Sequence, residues 1–212
     1  MSIASPANSA TITVPSALTA GKLFAGGLAG LAAWEFWGRI IAPAVIGGPL
    51  EPQGLVMALS GSLLGIGLSK GIATIIHFAI GIAAYPVAYW VVSRLLPRWG
   101  AIFDIGVWGL FSAYLASVLM AGTASGAIVL LWALVTIVSI SRMFNRSARV
   151  ADAISWGNFA WFTALGIMAP IAGMPFLLIG AADKLSAMSW GGHVVYGIVA
   201  VLVFETLARR KP

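Results

Sequence analysis

The sequence predicts an all-α fold, a polytopic membrane bundle of about six transmembrane helices. Three observations carry that prediction. Mean hydropathy is +1.00, and 60% of residues are hydrophobic while only 8% are charged, far below the quarter that a soluble domain carries. Apolar runs of about 20 residues, enough to cross a hydrocarbon core, recur along the chain. Finally, the basic residues gather at alternate ends of those runs, as they do at cytoplasmic loops.

The elements follow in order. Residues 1–19 form an uncharged Ser/Ala/Thr/Pro tail, whose composition predicts disorder. It lacks the basic start of a secretory signal and is read as a retained cytoplasmic tail. The rest, 20–212, reads as a single transmembrane domain. Its spans are expected at about 22–46, 69–95, 100–121, 125–143, 153–173 and 188–207, divided by Gly/Pro breaks such as Ala121-Gly122-Thr123. Segments 54–68 and 174–187 are apolar but too short to span, and read as re-entrant or interfacial helices. Arg94, Arg98, Arg142, Arg146, Arg149 and Arg209 all fall on one side of this topology, whereas Lys70 and Lys184 fall on the other. The positive-inside bias then puts both termini in the cytoplasm.

A two-helix unit is written twice. Gly30-x3-Trp34-x7-Ala42-Pro43 recurs as Gly157-x3-Trp161-x7-Ala169-Pro170, and His77-x3-Gly81 recurs as His193-x3-Gly197. This divides the domain into repeat A (about 22–96), an inserted hairpin (about 100–143) and repeat B (about 153–208). Paired helices run in the same direction, so a parallel repeat about an axis normal to the membrane is predicted.

Each repeat carries one of the chain's two histidines. At ~1.5 Å per residue both lie roughly 8–12 Å below the outer interface. Each has a glycine one turn later, Gly81 and Gly197, which would leave room for a flat macrocycle. Lys70 and Lys184 lie near the outer interface, where they could neutralise propionates. That layout suits bis-histidine ligation of haem b, or magnesium ligation in a chlorin pigment. The same histidines also read as structural hydrogen-bonding groups within lipid, bonded to a carbonyl or to Tyr85 or Tyr196, or as sites of proton chemistry at neutral imidazole. Glu35 and Arg39, four apart near mid-membrane, form a second candidate site, an intramembrane charge pair. Asp104 and Glu205 read as interfacial, with Glu205 facing Arg209.

Several classes are excluded. With no cysteine there are no disulfides, thiolate metal sites or cysteine nucleophiles, and no metal site is predicted. The net charge of +6 sits at helix ends, so nucleic acid is not an expected partner. No phosphate loop, paired carboxylates or Ser-His-Asp set is written, so no catalytic residues are named and an enzyme is disfavoured.

Ala29-Gly30 with Trp37-Gly38, His77 with Tyr89, Val91 and Val92, and Gly192-His193 ahead of Arg209-Arg210 together resemble the YagU-like small bacterial inner-membrane proteins. The resemblance touches most of the chain through short motifs. It implies a helical membrane fold in a bacterial inner membrane and no particular activity. The expected role is therefore a non-catalytic integral subunit that scaffolds a larger membrane complex, with the bilayer and other membrane subunits as partners. A haem- or pigment-binding electron- or energy-transfer subunit using His77 and His193 is the alternative. A small transporter using Glu35 and Arg39 is the third.

Overall fold

A computed structural model describes residues 15–96 and 98–209. Its regular structure is helical: α1 (Ala17–Ile46), α2 (Pro52–Leu64), α3 (Lys70–Leu95), α4 (Trp99–Met120), α5 (Gly126–Phe144), α6 (148–171) and α7 (Asp183–Arg209). Five of these, α1, α3, α4, α5 and α7, are long and apolar enough to cross a membrane. The stretch α6 is continuous in helical backbone but changes register midway.

Small residues decide how the helices meet. Helix α7 packs along α1 on one side and along α6 on the other. A β-carbon on Gly26 would lie 2.6 Å from the Ala200 carbonyl oxygen, and one on Gly157 would lie 2.5 Å from the Val194 Cα. Only glycine permits these approaches, which bring backbones together as small residues do between helices in lipid. On another face of α1, Gly27 meets the Ile82 carbonyl of α3. Trp156, Trp161, Phe111 and Phe204 fill the space between helices and are fully buried. Outward on α4 and α5 stand Ile102, Leu110, Met120, Ile137 and Phe144, all strongly exposed, as lipid-facing positions are.

Three of the helices contain a π turn, at Trp37–Ile41, Ile80–Ala84 and Phe162–Met168, and each is followed two residues later by proline: Pro43, Pro86 and Pro170. Proline has no N–H, and its ring crowds the carbonyl four residues back. Widening the preceding turn relieves that crowding, and π turns occur as such single insertions. The closing bonds run five residues back: Ala42 N–H to the Trp37 carbonyl at 2.9 Å, Tyr85 N–H to Ile80 and Ala169 N–H to Ala164. The first and third occupy equivalent positions of the two Gly-x3-Trp motifs. Both of those helices are followed by a left-handed glycine at φ 78°, Gly47 and Gly173.

Several sequence expectations are corrected. Helix α1 begins at Ala17, so residues 17–19 of the expected tail are helical; Ser16 starts it by accepting from Thr19 N–H. The rest of the tail, residues 1–14, lies outside the described residues. Segment 54–68 does hold a short apolar helix as expected, but its bounds are Pro52–Leu64 (α2) and it ends at left-handed Gly65. Segment 174–187 is not a short helix. It is a 3-10 turn at Phe176–Leu178 followed by the first turn of α7, which begins at Asp183 rather than 188. The reason is local: the Asp183 carboxylate accepts from Gly180 N–H and from the Ser125 hydroxyl, and an acidic side chain at a helix N-terminus is favoured. Likewise α6 begins at Ala148, five residues ahead of its expected start at 153.

Candidate functional site: an intramembrane histidine cavity

His77 of α3 and His193 of α7 line one cavity of about 620 Å³. Its wall is mostly aliphatic, with Leu31, Leu59, Ile80, Leu165 and Met168 drawn from α1, α2, α3 and α6. The short helix α2 packs on the start of α3 and closes the end of the cavity near Pro49 and Glu51. The indole of Trp34 touches both imidazoles, at centroid distances of 5.1 Å to His77 and 6.0 Å to His193.

The two rings are held differently. His193 Nδ1 lies 2.7 Å from the carbonyl of Ser189, one turn back. A carbonyl only accepts, so Nδ1 carries the proton and Nε2 keeps its lone pair. His77 Nε2 faces Glu35 Oε1 at 3.7 Å, and the second oxygen of Glu35 accepts from Arg39 Nε on the same helix. Glu35 and Arg39 are thus paired at four-residue spacing, with Glu35 turned inward and Arg39 half exposed. At hydrogen-bond distance, His77 Nε2, Glu35 Oε1 and Trp34 Nε1 are buried without a partner. Three such groups side by side are unusual, since buried polar atoms are nearly all bonded.

The π turns supply two further ties to the wall. In α3 the Gly81 carbonyl would, in π register, accept from residue 86, which is proline. The Tyr196 hydroxyl of α7 donates to it instead, at 2.6 Å. In α1 the Gly38 carbonyl faces the same deficit at Pro43, and Leu50 N–H donates to it at 3.0 Å. Both carbonyls are therefore bonded by residues of the cavity wall.

Of the two glycines expected to make room for a macrocycle, Gly81 borders the cavity and Gly197 does not. A β-carbon on Gly81 would lie 3.1 Å from Leu31 Cδ1, and Gly197 is pressed on the backbone of Gly157. Gly191 and Gly192 receive the Trp37 indole, whose Nε1–H donates to the Met188 carbonyl at 2.8 Å. Their role is helix packing, because the space beside each is filled by a neighbouring helix. The lysines also stand apart from the histidines. Lys70 pairs with Glu51 at 2.8 Å, both exposed. Lys184 borders a separate hollow beside Ser125 and Asp183.

A second polar cluster was not legible in the sequence. Asp104, expected at the interface, is 4% exposed and enclosed by neighbouring helices. Its carboxylate lies 3.1 Å from Arg142 Nε of α5, accepts from the Ser155 hydroxyl at 2.7 Å and faces Asn158 Nδ2 at 3.4 Å. Trp190 Nε1 of α7 donates to Asn158 Oδ1 at 3.0 Å. The cluster joins α4, α5, α6 and α7, and each buried group has a partner, as stability in low dielectric requires. Its signal was spacing: Gly100, Asp104, Val107, Phe111 and Leu115 form the buried stripe of α4. Glu205 accepts from Tyr89 at 3.3 Å, where a bond to Arg209 was expected.

No protein-family model matches the chain, and no curated protein or solved structure shows significant similarity to it. The resemblance to the YagU-like proteins therefore rests on its short motifs alone.

Proposed function

We propose that this chain is a six-span membrane protein, built on a parallel two-helix repeat, that binds a lipophilic small molecule in the His77–His193 cavity. The observation that carries the reading is the convergence of both histidines, from separate helices, on one cavity of about 620 Å³. That volume is in the range of small-molecule sites, which are mostly apolar with a few placed polar groups. The matching π turns and left-handed glycines of α1 and α6 support the repeat. The helical stretch 148–171 supplies the sixth crossing, and the basic ends of α3, α5 and α7 support cytoplasmic termini.

The cavity favours a compact ligand over a macrocycle. A neighbouring helix fills the space beside Gly197, the Leu31 side chain crowds Gly81, and Trp34 packs on both imidazoles. The exposed apolar face of α4 and α5 suits lipid and a partner subunit equally, so the subunit reading gains no specific support from it.

The test is extraction. Protein purified from its native membrane is extracted with organic solvent, and the extract is examined by mass spectrometry and visible absorption. We expect an apolar compound, enriched over bulk lipid, at about one per chain. Leu59→Trp, on the outer helix α2, fills the cavity and should lose the compound while keeping the thermal unfolding profile. A wild-type extract holding only bulk lipid would overturn the reading, and a stoichiometric Soret or chlorin band would replace it with the tetrapyrrole one.

A further inference from the structure

From the hydrogen-bonding inventory of the cavity wall, we infer that the ligand carries a neutral hydrogen-bond donor head, a hydroxyl, received by His193 Nε2. The inference rests on the binding reading above and adds the class of molecule.

The wall is rich in acceptors, and most of its donors are committed or closed off. Tyr196 donates to the Gly81 carbonyl at 2.6 Å. Tyr85 turns its hydroxyl to the Ala160 carbonyl at 3.4 Å. His193 Nδ1–H is held by the Ser189 carbonyl. The Trp34 N–H has no partner but also no open surface, being closed off against Gly192, whose β-carbon position lies 3.1 Å from it. Pro49 and Pro52 at the outer end have no N–H to offer. What remains is acceptor capacity: the Nε2 lone pair of His193, and the Ser189 hydroxyl, which serves in either role. On His77, a proton on Nε2 is favoured by the facing Glu35 carboxylate, which leaves Nδ1 as an acceptor.

Charge selects among donor heads. Arg39 already pairs with Glu35, and Lys70 with Glu51, so an ammonium head would bring an uncompensated charge into an apolar wall. A carboxylate would likewise bring an uncompensated charge, and a ketone, having no proton to give, would leave the His193 Nε2 lone pair without a donor. An uncharged hydroxyl on an apolar body is the head that matches, since a group the site can bond is selected over one that leaves its polar atoms unpaired.

The experiment uses the full chain in nanodiscs, titrated calorimetrically with decan-1-ol, its methyl ether, decylamine and decanoate, with empty nanodiscs subtracted. The alcohol should bind about fivefold or more tighter than the ether, the scale of one neutral hydrogen bond, and tighter than the amine or the acid. His193→Phe should abolish that difference while leaving ether binding in place. If all four bind equally and Leu59→Trp removes them, the cavity reading stands and the donor-head inference falls. If the alcohol advantage persists in His193→Phe, the assignment to His193 is wrong. If none binds above the empty nanodiscs, both readings fall.

Discussion

Tyr196 illustrates how much of this molecule turns on single polar atoms. Its hydroxyl bonds a carbonyl that Pro86 has orphaned, so Tyr196→Phe leaves a buried acceptor bare at a cost of about 1–2 kcal/mol. Reversible unfolding in mixed micelles should show that loss. In a Pro86→Ala background the backbone can supply its own N–H, and the same substitution should cost clearly less. Equal losses in both backgrounds would separate the tyrosine from the proline. At this scale the sequence was half legible. Glu35, Arg39, His77 and His193 stood out because ionisable groups are rare in apolar helices, whereas Tyr196 and Ser189 matter only through what faces them. Asp104 reads as interfacial from its distance to the helix end alone; the buried stripe it shares with Gly100, Val107 and Phe111 is what turns it inward.

Helices α6 and α7 approach each other closely at Gly157. With Val194 Cα and the His193 carbonyl at 2.5 Å and 2.7 Å from a β-carbon on Gly157, Gly157→Ala must push two backbones apart. About 1–3 kcal/mol of stability should be lost, the usual cost of overpacking. Gly106 of α4, whose β-carbon would meet nothing within 4 Å, is the matched control. Gly106→Ala should be neutral or slightly stabilising. A similar loss at both positions would mean that the cost does not come from the α6–α7 contact, since helix propensity alone favours alanine over glycine. Helix positions were legible from hydropathy, and the boundaries were misplaced where polar caps extend a helix beyond its apolar run, as at Asp183. The π turns were written in Pro43, Pro86 and Pro170, but a proline announces only a defect. Whether the chain kinks, breaks or widens depends on which neighbour accepts the freed carbonyl.

Taken as a bundle, the molecule makes a prediction about sidedness. Because the chain has no cysteine, single cysteines report cleanly. Under six crossings with cytoplasmic termini, Gly48→Cys should react with an impermeant maleimide added outside intact cells, and Asn145→Cys only after permeabilisation. The reverse pattern would invert the topology, and reaction at both sites from one side would change the number of crossings between them.

The Asp104 cluster has a consequence for how such a bundle comes to exist. Synthesis proceeds from the N-terminus, so the Asp104 carboxylate leaves the ribosome before any of the residues that will hold it. Arg142 follows with α5, Ser155 arrives 51 residues after Asp104, and Trp190 comes later still with α7. A bare carboxylate on an isolated helix in hydrocarbon is expensive. Helix α4 therefore reaches its final surroundings only once α5, α6 and α7 have followed it. Translation order thus leaves the second half of the bundle to close last, around its own buried acid.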